Sequence, residues 1–223
     1  MKRFILSILL LFVTAGLCAQ PNIKNSKADF PKKVSIEIGL AYMLMSPADM
    51  ENMHFVGIVL GGGFYVSPRS RLNFDIAIQG MVNDGERVGS FSYTKQVGSG
   101  STTYHTDGVI TRTFTAVPIL ASWSYEIPLG EKAWMRVGPS AGFTVLSSVK
   151  SYTPQPTEGS APKDAITKAA LTGGANLGVA FKVMDNGALD IGYKLLANTG
   201  MTFESNTLNI ISHQITVGMN VFF

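Results

Sequence analysis

The sequence predicts an all-β fold, an eight-stranded antiparallel up-and-down transmembrane β-barrel with short periplasmic turns and long extracellular loops. Three observations predict it. Apolar and polar residues alternate with a period of two over most of the chain after residue 32, as in strands with one apolar face. The alternating runs are about 12–18 residues long, whereas an ordinary strand has roughly 5–6. The connections are alternately short and long, which is the layout of a membrane barrel.

Residues 1–19 are predicted to be a secretory signal peptide. The segment has a basic start, an apolar run from Phe4 to Val13, and small residues before a cut after Ala19. These are the three parts of a signal peptide. The apolar run is too short to cross a bilayer as a helix.

The rest of the chain is predicted to be a linker and one domain. Residues 20–32 form a polar periplasmic linker and residues 33–223 form the barrel. Cys18 is the only cysteine, and it leaves with the signal peptide, so the mature chain has no disulfide and no thiolate metal site. The alternative is a lipoprotein with Cys18 lipidated, for which Leu17 is larger than the preferred preceding residue.

The strands follow one another with a regular change of connection. The predicted runs are 33–45, 54–67, 71–83, 110–126, 133–150, 168–184, 188–199 and 208–223. Short segments with Pro, Gly, Asn and Asp join the second to the third run, the fourth to the fifth, and the sixth to the seventh, as in tight turns. The longest connection, DGERVGSFSYTKQVGSGSTTYHTDGV, has strand-forming residues around Gly-Ser-Gly. It is interpreted as a hairpin above the membrane.

The alternation separates a lipid-facing set of residues from a lumen-facing set. In the first run, the even-numbered residues from Val34 to Leu44 are apolar, whereas Ser35 and Glu37 point the other way. The interior of an eight-stranded barrel is just wide enough for side chains to fill, and buried charges there must be paired. We therefore predict a network of salt bridges and hydrogen bonds that plugs the lumen. Its members are Glu37, Asp75, Arg136, Asp190 and Lys194. A narrow ion path and a catalytic carboxylate are the alternatives.

Aromatic residues cluster at the periplasmic ends of the predicted strands. They are Phe64, Phe74, Trp123, Tyr125, Phe181, Phe222 and Phe223. Such a cluster is typical of an aromatic girdle at a membrane interface.

The last strand carries the most specific resemblance to a known family. Thr216, Gly218, Val221 and Phe223 match the terminal pattern of polar, any, Gly, any, any, hydrophobic, any, aromatic. The chain resembles small Gram-negative outer-membrane β-barrel proteins, of the porin-family or PorT-like kind, related in architecture to OmpA-type barrels. The segment AVPILASWSYEI is similar to a strand of the PorT-like group. The resemblance implies that the barrel-assembly machinery reads the terminal pattern and that outer-membrane lipids surround the barrel.

Several functions are excluded or left as alternatives. A formal net charge of +3 without a basic cluster does not favour nucleic acid. No cofactor is predicted, and no metal site, since His54, His105 and His213 have no ligand spacing. An integral barrel with a structural or interaction role is the first hypothesis, with a surface protein or solute at the long loops. A PorT-like accessory role in secretion is one form of it.

A narrow-pore porin and an outer-leaflet lipid A-modifying enzyme are the two other hypotheses. The enzyme would need a serine activated by a nearby base. Ser212 and His213 are adjacent on a strand, so they face opposite sides and do not form that pair. No catalytic residue is therefore predicted.

Overall fold

The computed structural model describes residues 34–47, 52–82, 85–97, 99–154, 163–203 and 206–223. The predicted signal peptide and linker, and parts of the predicted outer loops, lie outside these ranges. No helix in the described part of the chain is long and apolar enough to cross a membrane. The strands are β1 (Val34–Pro47), β2 (Met53–Ser67), β3 (Ser70–Met81), β4 (Gly85–Val97), β5 (Gly100–Pro128), β6 (Ala133–Pro154), β7 (Lys163–Met184), β8 (Gly187–Phe203) and β9 (Asn206–Phe222).

Eight of the nine described strands close into a ring. The order is β3, β2, β1, β9, β8, β7, β6 and β5, and β5 pairs in turn with β3. Every neighbouring pair is antiparallel. The first and last strands meet along β1, from Ser35 opposite Phe222 to Pro47 opposite Ile210. The predicted eight-stranded antiparallel barrel is confirmed.

The remaining strand, β4, extends one side of the barrel upward. β5 has 29 residues. Its second part pairs with β3, and its first part, from Gly100 to Arg112, pairs with β4. The hairpin that the sequence suggested in the longest connection is therefore confirmed. It stands at the end of the barrel opposite to the short turns, which is the extracellular end.

Several strands run farther than the sequence predicted. β6 reaches Pro154 and β8 reaches Phe203, while β7 begins at Lys163. An antiparallel ladder continues as long as both partners supply backbone groups. The pairing therefore continues past the point where the apolar–polar alternation of the sequence ends.

The exterior of the ring is apolar, whereas its interior holds polar and small side chains together with a cluster of large apolar side chains at each end. On β1, Leu40 is 66% exposed, whereas the next residue, Ala41, is 2% exposed. The same alternation holds on the other ring strands, whose large exposed side chains are aliphatic or aromatic. A continuous apolar band of this extent is stable against lipid and unfavourable against water. The predicted lipid-facing and lumen-facing sets are confirmed.

Two glycines allow the closing strands to approach each other. Gly39 on β1 lies directly opposite Gly218 on β9. A Cβ atom on Gly218 would lie 2.8 Å from the backbone oxygen of Ile38 and 3.1 Å from the Cα of Gly39. Any larger residue at Gly218 therefore forces the two strands apart at the seam of the barrel.

The aromatic residues at the short-turn end divide between two faces. Phe64, Phe74, Trp123, Tyr125, Phe181 and Phe223 are exposed on the outside. Phe222 is only 5% exposed and packs inside the barrel against Trp134 and Tyr65. The prediction that Phe222 belongs to the girdle was wrong, because alternation along β9 fixes its side chain on the lumen face.

Candidate functional site: the barrel lumen

The lumen has three levels, and the outermost is mainly apolar, with the buried polar residues Gln214 and Ser212 opposite Met43 and Met45. Its buried apolar residues form one cluster beneath the extracellular hairpin, against which Met81 and Ile166 also pack. The cluster consists of Met43, Met45, Met53, Phe55, Phe114, Ala116, Leu146, Ala170 and Ile210. Unbranched methionine side chains adapt their shape to fill irregular gaps. This level therefore fills the outer end of the lumen with hydrocarbon and thioether groups.

The middle level holds charged side chains that meet across the lumen. The Nζ of Lys194 on β8 donates to the Oδ2 of Asp75 on β3 at 2.6 Å. The guanidinium of Arg136 on β6 contacts the carboxylate of Asp190 on β8. The first pair joins β8 to β3 on the opposite side of the ring, and the second joins β6 to β8, which are separated by β7.

Asn220 on β9 connects several of these charges. Its Nδ2 donates to Glu37 at 3.1 Å and to Asp190 at 3.2 Å, and its Oδ1 accepts from Arg71 at 3.2 Å. Among the described residues, Glu37 has no cation within salt-bridge distance, so the amide of Asn220 is its polar partner. Asn220 thus acts as a neutral link between two carboxylates and a guanidinium.

A small polar cavity lies at this middle level. Its volume is about 50 Å³, room for on the order of three water molecules. All five residues predicted for the lumen network line it: Glu37, Asp75, Arg136, Asp190 and Lys194. Asn73, Ser124 and Asn176 also line it and form a hydrogen-bonded chain, with distances of 3.0 and 3.3 Å. Along β1, the middle level lies between Ser35, which pairs with Phe222 of the aromatic level, and Met43, which belongs to the outer cluster.

The innermost level is aromatic. Trp134 and Phe222 pack with Ala180, Ala188 and Tyr65 at the short-turn end. The hydroxyl of Tyr65 donates to Glu126 at 2.9 Å, and the guanidinium of Arg71 lies 5.9 Å from the centre of the Tyr65 ring. This level lies at the periplasmic end of the lumen.

The predicted network omitted two buried charges of the inner level: the alternation along β3 puts Arg71 on the polar face, but Glu126 was not recognised. Arg71 and Glu126 are almost fully buried. Glu126 lies beside a turn, where a charge usually points to water. The sequence did contain a signal for its orientation. Ser122, Ser124 and Glu126 alternate along β5 with outward-facing aromatic residues, so all three are expected to face the lumen. Lys182 is exposed, and its Nζ lies 3.6 Å from Oδ1 of Asp185 at the turn.

The residues of the terminal pattern lie on both faces of β9. Thr216 and Gly218 face the lumen and are buried, whereas Val221 and Phe223 face outward. Phe223 is 67% exposed. Its backbone nitrogen donates to the carbonyl of Val34 at 2.9 Å, which fixes the end of the chain to the first strand.

The histidines lie apart, and each contacts a hydroxyl group. Nδ1 of His54 is 2.6 Å from the hydroxyl of Tyr42, and Nδ1 of His213 is 2.7 Å from the hydroxyl of Tyr193. His105, on the extracellular hairpin, lies 2.7 Å from the hydroxyl of Ser92. In the described ranges, no group of three or more His, Cys, Asp or Glu residues is arranged to hold a metal ion.

Ser212 and His213 lie on opposite faces of β9. Ser212 is fully buried in the lumen, where its Oγ accepts a hydrogen bond from Asn198 at 3.3 Å. His213 points outward to Tyr193. The sequence-based argument against a Ser212–His213 pair is confirmed.

Comparison with known proteins identifies the fold. No protein-family model matches the chain, and no curated protein matches it. Among solved structures it is similar to Ail, the attachment invasion locus protein of Yersinia pestis, with 13% identity over 87% of this chain and 100% of that chain, at a TM-score of 0.55. It is also similar to Neisserial surface protein A, with 14% identity over 85% of this chain and 97% of that chain, at a TM-score of 0.55.

The ring of strands, its apolar exterior and these two similarities define the class of protein. The chain is a small eight-stranded β-barrel of the bacterial outer-membrane type. The predicted fold and location are confirmed at this level.

Proposed function

We propose that this chain is a non-conducting outer-membrane barrel whose extracellular hairpin and outer strand ends form a recognition surface. The observation that carries the proposal is the filled lumen. Ions crossing it would meet the aromatic level around Trp134 and the paired charges of the middle level. They would then meet the outer cluster, in which Met43, Met45 and Phe55 are fully buried. A hydrophobic constriction of this kind excludes water and ions.

Conductance in planar bilayers tests the closed lumen. We expect no steady conductance from the wild-type barrel. Replacing Met43 and Phe55 together by serine removes part of the outer cluster and serves as the positive control, since it should admit water. A steady small conductance in the wild type would contradict the proposal.

The narrow-pore porin is the second candidate, and the polar cavity of about 50 Å³ favours it. In that case the charges of the cavity would line the ion path. Wild-type conductance that Arg136→Gln or Glu37→Gln abolishes would therefore establish the porin function in place of the plug.

The recognition surface would be built on the hairpin of β4 and β5. This hairpin continues the barrel wall over 13 paired positions, from Gly85 opposite Arg112 to Val97 opposite Gly100. Exposed loops and strand tips on a rigid scaffold are common sites of recognition. We propose a surface protein or a solute as the ligand.

Photo-cross-linking in intact cells tests the recognition surface. A cross-linker at Ser101 or Asp107, both exposed on the hairpin, should capture a specific partner. The matched control is Lys132, which is exposed at the short-turn end. The same products from Lys132, or none from the hairpin, would contradict a recognition role for the hairpin.

A PorT-like accessory role in secretion is one specific form of the proposal. The similarity of AVPILASWSYEI to the PorT-like group supports it. Deleting the gene should then reduce protein secretion, and the wild-type chain, but not a variant without residues 85–112, should restore it. Unchanged secretion would remove this form and leave the recognition proposal in place.

We propose that the chain is not an enzyme. The separation of Ser212 and His213 on opposite faces of β9 supports this for lipid A acyl-chain chemistry. Mass analysis of lipid A should give the same acyl pattern with and without expression. A shift in mass that depends on the chain would overturn the proposal.

A further inference from the structure

The two tyrosine–histidine pairs occupy equivalent places on neighbouring hairpins of the outer wall. His54 on β2 and His213 on β9 both lie in the row of Leu44, which separates them on β1. Each histidine contacts a tyrosine one row below, Tyr42 on β1 and Tyr193 on β8. The two imidazoles are therefore two strand spacings apart, about 10 Å. All four side chains belong to the lipid-facing set.

The height of these pairs places them at the outer boundary of the membrane. His54 precedes the exposed Phe64 by ten residues on β2, and His213 precedes the exposed Phe223 by ten residues on β9. Ten residues of a strand tilted by about 40° rise roughly 25 Å, the usual height of the apolar band. Phe64 and Phe223 lie at the inner, short-turn end. The histidines therefore lie where outer-leaflet headgroups begin.

The contact with the tyrosine hydroxyl favours one tautomer of each imidazole. A phenol hydrogen on a lipid-facing surface is costly without an acceptor, and Nδ1 of His54 or His213 lies within 2.7 Å of its tyrosine hydroxyl. When the phenol donates to Nδ1, the hydrogen of the neutral imidazole is on Nε2. Each pair thus presents an Nε2–H donor on the far side of the ring.

We propose that the two pairs bind phosphate groups of outer-leaflet lipids. Their N–H donors suit a phosphate oxygen. None of the outward-facing side chains described on β1, β2, β8 and β9 is a carboxylate that would repel it. Below and between the pairs, Leu40, Leu44 and Ile215 form an apolar strip that continues the lipid-facing band. The strip gives the acyl chain of the same lipid a place to lie, so the occupant is a phosphate-bearing lipid rather than a free anion.

Histidine NMR tests the proposal on the folded chain in uncharged maltoside micelles. Dihexanoyl phosphatidic acid should shift the ring resonances of His54 and His213 saturably. His105, which contacts a serine on the hairpin outside the apolar band, is an internal control and should not shift. Uncharged dihexanoylglycerol should have no such effect, and inorganic phosphate should require at least about tenfold more ligand, because it lacks acyl chains to bury.

Tyr42→Phe and Tyr193→Phe provide the matched variants. Each keeps the ring and its apolar contacts but releases Nδ1, so we expect phosphatidic acid to bind roughly tenfold more weakly at that site. Unchanged affinity in both variants would overturn the role of the pairs. No saturable shift would overturn the site, as would equal shifts of His105 or equal effects of dihexanoylglycerol. Equal affinity for inorganic phosphate would overturn the lipid as the occupant.

Discussion

Breaking the ion pair between Lys194 and Asp75 should cost the barrel much of its stability. The two side chains are 13% and 10% exposed, and the charged atoms are 2.6 Å apart. At an effective dielectric constant of 20, such charges attract by about 6 kcal/mol. Desolvation offsets part of this attraction, and removing one partner of a buried pair usually costs ~3–5 kcal/mol. Because the pair lines a polar cavity, we expect Lys194→Gln to cost about 3 kcal/mol, at the lower end of that range.

Urea unfolding in detergent, followed by tryptophan fluorescence, measures this loss. Trp134 lies inside the barrel and Trp123 outside it, so the fluorescence reports on both surfaces. Asp75→Asn alone should destabilise the barrel similarly, whereas Lys194→Gln with Asp75→Asn should recover most of the stability, because neither charge is then left unpaired. Lys182→Gln, which breaks an exposed pair at a turn, is the control and should have no measurable effect. Single variants that lose less than about 1 kcal/mol would refute the reasoning for a buried pair.

Three further predictions concern β9. Gly218→Val should impair folding, seen as a loss of the heat-dependent gel shift, because its side chain meets the backbone of β1; Gly173→Val, where a Cβ meets nothing within 4 Å, should fold normally. Phe222→Ala should destabilise the barrel by about 3 kcal/mol in urea unfolding by emptying the inner aromatic level, and a loss below 1 kcal/mol would contradict that packing. Deleting Phe223, or Val221→Asp, should reduce outer-membrane levels far more than synthesis, as measured by fractionation and immunoblotting. Normal membrane levels of both variants would reject the assembly signal.

The alternation of residues was enough to predict the ring and the two faces. It placed Leu40 outside and Glu37 inside, because a side chain's face depends only on its position along the strand. The same rule would have placed Phe222 in the lumen and Glu126 on the inner face. Phe222 was assigned to the girdle because it lies near the chain end among other aromatic residues. Glu126 was missed because it lies beside a turn. In both cases the position along the strand would have given the correct face.

The partner of each lumen charge could not be predicted from the sequence. Lys194 meets Asp75 across the lumen although 119 positions separate them along the chain, and their strands β8 and β3 are not neighbours in the ring. Such contacts depend on the stagger and tilt of the strands in the closed barrel. The alternation of residues along the sequence carries no information about either. The position of Asn220 between Glu37, Asp190 and Arg71 depends on the same geometry.

The last two residues take part both in closing the ring and in packing the inner aromatic level. Phe223 is tied to Val34 by backbone hydrogen bonds, and this pairing belongs to the seam between the last and first strands. The same pairing holds Phe222 inside, where it packs against Trp134 from β6 and Tyr65 from β2, on different sides of the ring. Before β9 pairs with β1, Phe222 has no fixed place between them. The inner aromatic level is therefore complete only in the closed ring, where Phe222 faces the lumen and Phe223 faces outward.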